Sequence, residues 1–235
     1  MLKKIHLALF AVLFLNVHGL WAGDTASFVD LGFSPDGKVY MFAQYGVESR
    51  TLKPWADLFI VDVPKNNFVS GGRVSYTHDT PVVSGQDGSG ALYRLIAQNA
   101  AMAERYGVNY CFQGQPLFIA LENEPPIGAY GQSRIEFRDF ESGASYYASL
   151  VSDVEGSGQG LKSSFYITVE RISRDGSKKT YRVGNPQLKR PLISSYNIRK
   201  VIIAPRDGSM IFLIEMFKLE GSSLNVRYMV EALRL

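Results

Sequence analysis

His78, in the segment Tyr76-Thr-His-Asp-Thr80, is the candidate for acid–base chemistry in this chain. A serine or cysteine nucleophile needs a histidine base that an acid holds in place, and Asp79 is the neighbouring acid. The chain contains no Gly-x-Ser-x-Gly nucleophile elbow. We therefore interpret His78 as a loop histidine, and a hydrolase that uses His78 and Asp79 is the alternative.

Metal ligands are scarce in the sequence. His78 and Cys111 alone do not make the usual histidine and cysteine sets of a zinc site. Asp-Gly pairs offer carboxylate oxygens for calcium, and they begin at Asp36, Asp87, Asp175 and Asp207. None of them lies in a D-x-[DN]-x-[DN]-G loop, so we interpret them as turns and predict neither a metal nor a cofactor.

Glu122 and Glu124 are a candidate pair of the carboxylates that a glycosidase needs. They are two residues apart, so on an extended segment they face the same way and could form a small acidic patch. Pro125 and Pro126 follow and favour extension. No partner acid is identifiable, and a solvated loop is the preferred interpretation.

The glycine-rich segment Ser84-Gly-Gln-Asp-Gly-Ser-Gly90 precedes a predicted helix. Free N–H groups of Gly88, Ser89 and Gly90 would suit an anion there. The segment lacks the Gly-Lys-[Ser/Thr] ending of a P-loop, and Asp87 would repel an anion. We predict a helix-capping loop, with an anion site as the weaker alternative.

Aromatic side chains are plentiful, with 13 tyrosines, 14 phenylalanines and 2 tryptophans. Most are expected to fill the core, and Trp55 is expected to be a packing lid. The candidates for a face that binds a sugar or a protein are Tyr40, Tyr45, Trp55, Tyr146 and Tyr147.

Extended runs joined by turns dominate the pattern at both ends of the chain. Residues 28–33 and 38–45 flank a Pro-Asp-Gly turn, and 56–63 follows, which predicts an antiparallel meander. Residues 199–204 and 209–219 flank a Pro-Arg-Asp-Gly turn in the same order. This similarity indicates either a degenerate end repeat or convergent hairpin chemistry.

The middle of the chain contains one clear helix pattern over 90–106, with Gly107 as its stop. The further predicted strands are 117–121, 133–140, 145–154, 165–173, 178–183 and 224–233. The predicted fold class is mainly β, with antiparallel meander sheets in a propeller-like or sandwich arrangement and one substantial central helix.

Residues 1–22 have the order of a secretory signal peptide. Lys3 and Lys4 precede an apolar run over 7–15, and Ala22 is a small residue at the expected cut. An uncleaved anchor is the alternative, although the run is too short to span a bilayer. The mature chain, 23–235, is expected to be secreted or periplasmic. We predict one β-rich domain, with two subdomains related by the end repeat as the alternative, and 155–160 as a hairpin loop or a linker.

Charge and cysteine content limit the classes of partner and the means of stabilisation. The net charge of +3 falls to about +1 once Lys3 and Lys4 are removed, and the cations are scattered, so nucleic acid is not expected as a partner. Cys111 is the only cysteine, which excludes an internal disulfide. We expect its thiol to be buried.

Two resemblances are carried by particular residues. Residues 28–63, centred on Phe33-Ser-Pro-Asp-Gly-Lys38, resemble one blade of the TolB-like periplasmic β-propellers. The layout of 23–28, the Ser-Pro-Asp-Gly turn, Ala91-Leu-Tyr-Arg94 and Gln113-Gly-Gln-Pro-Leu117 resembles a family of predicted secreted bacterial proteins whose domain has no assigned function. The resemblance implies export and a shared fold, and it supplies no catalytic residue.

These observations predict an exported, non-catalytic module that binds a protein or a polymer of the bacterial envelope. The alternatives are the His78 hydrolase and a carrier of a small ligand in a pocket between helix and sheet.

Overall fold

A computed structural model describes residues 23–121, 132–221 and 223–235. The predicted signal segment with its cut after Ala22, and the pair Glu122 and Glu124, lie outside the described residues. The elements are β1 (Ser27–Phe33), β2 (Val39–Val47), β3 (Pro54–Asp62), β4 (Asn67–Thr77), α1 (Ser89–Gln98), α2 (Ala100–Arg105), β5 (Gln115–Ile119), β6 (Gln132–Arg138), β7 (Ser145–Glu155), β8 (Lys162–Ile172), β9 (Lys178–Val183), β10 (Arg190–Pro191), β11 (Ile193–Ile203), β12 (Met210–Glu220) and β13 (Ser223–Leu233).

The strands form three antiparallel sheets. The N-terminal sheet has the order β1-β2-β3-β4, and the central sheet has the order β13-β12-β11-β5. The outer sheet has the order β10-β8-β7-β6, with β9 also paired to β8. The predicted mainly β class with antiparallel meander sheets is confirmed.

The central sheet is buried on both faces, which explains the continuous apolar run at the start of β12. Met210, Phe212 and Ile214 pack in one core cluster with the inner residues of the outer sheet. Ile211 and Leu213, which alternate with them, pack in a second cluster with the N-terminal sheet. The three sheets therefore stack face to face, with the C-terminal strands between the other two.

The N-terminal sheet is covered on its second face by the helices. Met41 and Ile60 form a third core cluster with Leu92 and Leu95 of α1. Both faces of β2 and β3 are covered, and the sequences of these two strands are accordingly apolar at most positions. The order of layers is helix, N-terminal sheet, central sheet, outer sheet.

The predicted helix over 90–106 is two helices that meet at Asn99, and this is a correction. The Asn99 side chain donates to the Leu95 carbonyl at 2.8 Å, and its backbone leaves helical geometry with φ −111° and ψ 12°. Asparagine competes for backbone groups in this way and so favours helix ends. Gly107 adopts φ +68° just beyond α2, as expected for a helix stop.

The two Asp-Gly turns that suggested an end repeat lie against each other. A Cβ at Gly37 would lie 3.0 Å from the Pro205 carbonyl oxygen and 3.1 Å from Asp207 Oδ1.

The segment 156–161 joins β7 to β8, which are paired over their full length from Ser145 to Glu155. It is therefore a hairpin loop.

Cys111 is exposed, so the prediction of a buried thiol was wrong. The residue lies in a turn in which its N–H donates to Asn109 Oδ1 at 2.9 Å. Phe112, the next residue, packs against the core in its place.

No helix in the described part of the chain is long and apolar enough to cross a membrane.

A buried glutamate joins the three sheets. Glu231 of β13 accepts a hydrogen bond from Asn66 in the β3–β4 turn, and it pairs with Arg190 of β10 at 3.5 Å. Burial raises the pKa of Glu231 from the ordinary 4.5 more than Asn66 and Arg190 lower it. The folded state therefore holds a proton on Glu231 at higher pH than the unfolded chain does.

The Glu231→Gln variant is expected to have a flatter pH dependence of stability. A carboxyl with a raised folded pKa contributes stability below pH 4.5, and this contribution is lost as pH rises through the folded pKa. Denaturant unfolding of the wild type, this variant and a control variant from about pH 4 to about pH 7 will show the Glu231→Gln variant gaining stability relative to the wild type as pH rises. The exposed Glu136→Gln is the control, and equal slopes in all three proteins would refute the prediction.

Candidate ligand-binding cleft

An open cleft of about 690 Å³ lies between the end of β4, the loop that follows it and the start of α1. Its volume is in the range of small-molecule sites. The apolar lining is Pro54, Val82 and Ala91; the polar lining is Tyr76, His78, Gln86, Asp87 and Arg94; two glycines, Gly85 and Gly90, complete it. The cleft is thus lined about equally by polar and apolar groups.

One wall of the cleft is an aromatic and cationic set. Tyr76 and His78 are two residues apart on an extended chain, so their side chains lie on the same side. The Tyr76 hydroxyl lies 3.0 Å from His78 Nδ1. The guanidinium carbon of Arg94 lies 5.1 Å from the centre of the Tyr76 ring. A guanidinium held over a ring keeps its N–H edge available for an anion.

The opposite charge comes from Asp87, just before α1. Its Oδ1 accepts from the Ser89 N–H at 3.0 Å and from the Ser89 hydroxyl at 2.6 Å. These hydrogen bonds lower the pKa of Asp87, which is therefore a carboxylate at neutral pH. Asp87 precedes α1 and Arg94 lies within it, and both residues line the cleft.

Several polar groups of the cleft have atoms that are free to bind a ligand. Among the described residues, Arg94 makes no ion pair, and neither Asp87 Oδ2 nor His78 Nε2 has a hydrogen-bond partner. A Cβ added at Gly90 would meet no atom within 4 Å, so the space beside the helix start is open. The cleft therefore offers a cation, an anion and a ring nitrogen beside an apolar wall.

The cleft lining contains no serine, threonine or cysteine. Asp79 is exposed, and it makes no hydrogen bond to His78 in the described part of the chain. Ser89 is nearby, but its hydroxyl donates to Asp87. The structure thus brings His78 and Gly90 together without bringing a nucleophile and an orienting acid to His78.

The structure places the three residues of the predicted anion loop in different surroundings. Gly90 lines the cleft, and Ser89 starts α1. Gly88 is buried against β2, because a Cβ there would lie 2.2 Å from the Gly46 carbonyl oxygen. Of the three, Gly90 is the residue open to a ligand.

The five aromatic candidates do not gather at one site. Tyr40 and Tyr146 are 0% and 1% exposed and belong to the core, so the expectation of exposed rings is corrected for both. Tyr45 packs partly buried beside the helices. Trp55 donates to Asp24 at 2.7 Å and lies under Arg227, in keeping with a packing role. Tyr147 is half-buried on the outer sheet.

Sequence reasoning singled out His78 and missed Arg94, Tyr76 and Gln86 as its neighbours. Arg94 follows Gly90 by four residues, so helical spacing was a signal that the glycine loop and this arginine share a side. The pairing of a helix start with the end of β4 depends on tertiary packing, which spacing does not supply.

A family model described as "Predicted secreted protein (DUF2259)" matches residues 41–234. The cleft residues, from Pro54 to Arg94, all fall within the matched range. No curated protein and no solved structure matches the chain.

Proposed function

The chain belongs to the DUF2259 family of predicted secreted proteins. We propose that it is a non-catalytic binding protein of the bacterial envelope. Its ligand is a small zwitterion, a free amino acid or a short peptide, held in the cleft beside His78. The proposal includes export through residues 1–22 with removal after Ala22, and a single domain over 23–235.

The observation that carries this proposal is that the guanidinium of Arg94, which makes no ion pair among the described residues, and the carboxylate of Asp87 line one cleft together with apolar residues. Arg94 has the geometry to bind a carboxylate through two N–H groups. Asp87 keeps Oδ2 for an ammonium group, because its other oxygen holds Ser89. A ligand with both charges satisfies both groups, whereas a simple anion would face repulsion from Asp87.

The apolar wall gives the ligand a third contact. Pro54 and Val82 line the cleft, and an aliphatic side chain of an amino acid would lose water against them. His78 Nε2 is placed to donate or accept a further hydrogen bond. Among the described residues that line the cleft there is no serine, threonine or cysteine, and the Tyr76 hydroxyl lies against His78 Nδ1, which supports binding without turnover.

The Arg94→Gln variant is expected to lose affinity by about 10- to 150-fold, because one charge-assisted hydrogen-bonded pair is removed. The measurement is calorimetric titration with a panel of free amino acids and dipeptides. C-terminal amidation of a binding dipeptide removes the carboxylate, so it should weaken binding to the wild type and change little for the variant. N-terminal acetylation should weaken binding to both proteins, because Asp87 loses its ammonium partner.

Arg105→Gln is the matched control, since Arg105 is an exposed helical arginine that is not part of the cleft lining. It should bind as the wild type does. An unaltered affinity in Arg94→Gln, or no binding by any member of the panel, contradicts the proposal. Cleavage of a dipeptide by the wild type, lost in His78→Ala, would establish the hydrolase alternative instead.

A further inference from the structure

The outer sheet has one face packed on the core and one face turned away from it. Along β7, buried residues such as Tyr146 and Ala148 alternate with half-buried ones such as Tyr147 and Ser149. The buried set packs against the central sheet. The other set forms what we call the arginine–tyrosine face: Arg134, Tyr147, Ser149, Tyr166, Thr168 and Arg182.

The strand register places four of these residues in one row across the sheet. Arg134 lies opposite Ser149, Ser149 lies opposite Thr168, and Thr168 lies opposite Arg182. Three steps of about 4.8 Å between strands put the backbones of the two arginines about 14 Å apart. Two hydroxyl groups occupy the space between them.

Both arginines are held by a tyrosine on the neighbouring strand. The guanidinium carbon of Arg134 lies 5.1 Å from the centre of the Tyr147 ring, and that of Arg182 lies 3.8 Å from the centre of the Tyr166 ring. Neither arginine makes an ion pair within the described residues. Stacking restricts these long side chains, so less conformational entropy is lost when an anion binds.

The charge of this surface is positive. Arg138 and Lys178 extend the face at one end, where four cations stand against the two acids Glu136 and Glu170. At the other end Asp153 and Glu155 lie on the same side of β7, and they pair with Lys162 and Lys189. Lys178 pairs with Glu170 at 3.6 Å, while Arg134 and Arg182 keep their charge for a ligand. Cations that are scattered along the sequence are thus gathered on one side of the sheet by the strand register.

We propose that the arginine–tyrosine face binds an acidic polysaccharide whose chain runs across the strands. Its carboxylates pair with Arg134 and Arg182, and its neutral hydroxyls bond to Ser149 and Thr168. Two arginines whose backbones lie about 14 Å apart, with two hydroxyl groups between them, suit a polymer that carries both carboxylates and free hydroxyls. A DNA strand offers a phosphate on every nucleotide and no free hydroxyl between the phosphates. The tyrosine rings are covered by guanidinium groups, which leaves no open ring for a nucleobase to stack on.

This inference stands apart from the proposed function, because the cleft is built from the N-terminal sheet and α1. The test uses polygalacturonate as the probe and its methyl ester as the uncharged control. The full-length mature protein is expected to bind polygalacturonate at low salt and to bind it less well as the salt concentration increases. It is not expected to bind the methyl ester. Arg134→Gln/Arg182→Gln is expected to weaken binding about 10-fold or more.

The matched control is Arg73→Gln/Arg105→Gln, which removes the same charge from exposed positions outside this face and should leave binding unchanged. Ser149→Asp puts a carboxylate in the middle of the row and should also weaken binding, which guards against a folding defect in the double variant. Equal binding by both double variants, equal binding of the ester, or no binding by the wild type overturns the inference. Tighter binding of single-stranded DNA than of polygalacturonate would assign the face to nucleic acid and overturn it as well.

Discussion

Phe212→Ala is expected to destabilise the protein by about 3–5 kcal/mol, the cost of removing a fully buried aromatic side chain. Phe212 is 0% exposed and packs between the central and outer sheets. The cavity it leaves is enclosed by rigid strands on both sides, so the core has little freedom to close around it. Urea unfolding monitored by circular dichroism measures the change in the free energy of unfolding.

Phe140→Ala is the matched control, because Phe140 is 83% exposed and undergoes the same chemical change. It should alter stability by no more than about 0.5 kcal/mol. Ile211→Ala tests the layer order from the other face, since Ile211 packs against the N-terminal sheet. Both β12 variants must be destabilised if the central sheet is covered on both faces, and a near-neutral result for either one would refute that arrangement.

Asp24→Ala is expected to destabilise the protein by about 3–5 kcal/mol, because it strands one partner of a buried ion pair. Asp24 is 6% exposed, and its Oδ2 accepts from Trp55 Nε1 at 2.7 Å and from Arg227 at 2.9 Å. Arg227 also stacks 4.3 Å above the Trp55 ring. The variant therefore loosens the N-terminal segment from both β3 and β13.

Asp153→Ala is the control for the loss of a surface ion pair, because Asp153 binds Lys189 and its side chain is 65% exposed. That change should cost no more than about 1 kcal/mol. Trp55→Phe keeps most of the ring but loses the donor to Asp24. Its loss of stability should lie between those of Asp24→Ala and Asp153→Ala. If Asp24→Ala and Asp153→Ala unfold at the same denaturant concentration, the buried cluster does not stabilise the N-terminal segment.

The strands were largely predictable from the sequence because their signals are local. The Pro-Asp-Gly turn and the flanking apolar runs predict the β1–β2 hairpin, and the structure pairs Phe33 with Tyr40 across it. The apolar run of β12 predicts a buried strand, but not which two sheets bury it. That depends on the C-terminal strands lying between sheets formed by earlier residues, which is a long-range property.

The errors have local physical causes. The predicted single helix divides where Asn99 bonds to the Leu95 carbonyl, and Cys111 is exposed because an Asn109 turn directs it outward. For the cleft, His78 was identifiable by its rarity, whereas Arg94 looked like an ordinary residue on the polar side of a helix. The single domain over 23–235 and the cut after Ala22 stay predictions.

Chemical-shift mapping of the isotope-labelled protein with the panel of amino acids and dipeptides shows whether the cleft binds a zwitterion. A ligand that binds in the cleft is expected to shift the backbone amides of His78, Gly90 and Arg94, and these shifts are expected to be absent in Arg94→Gln. Shifts that cluster instead at another cavity, of about 420 Å³ beside Gln113 and Gly208, would contradict ligand binding in the cleft. The absence of any shift with the whole panel would contradict it equally.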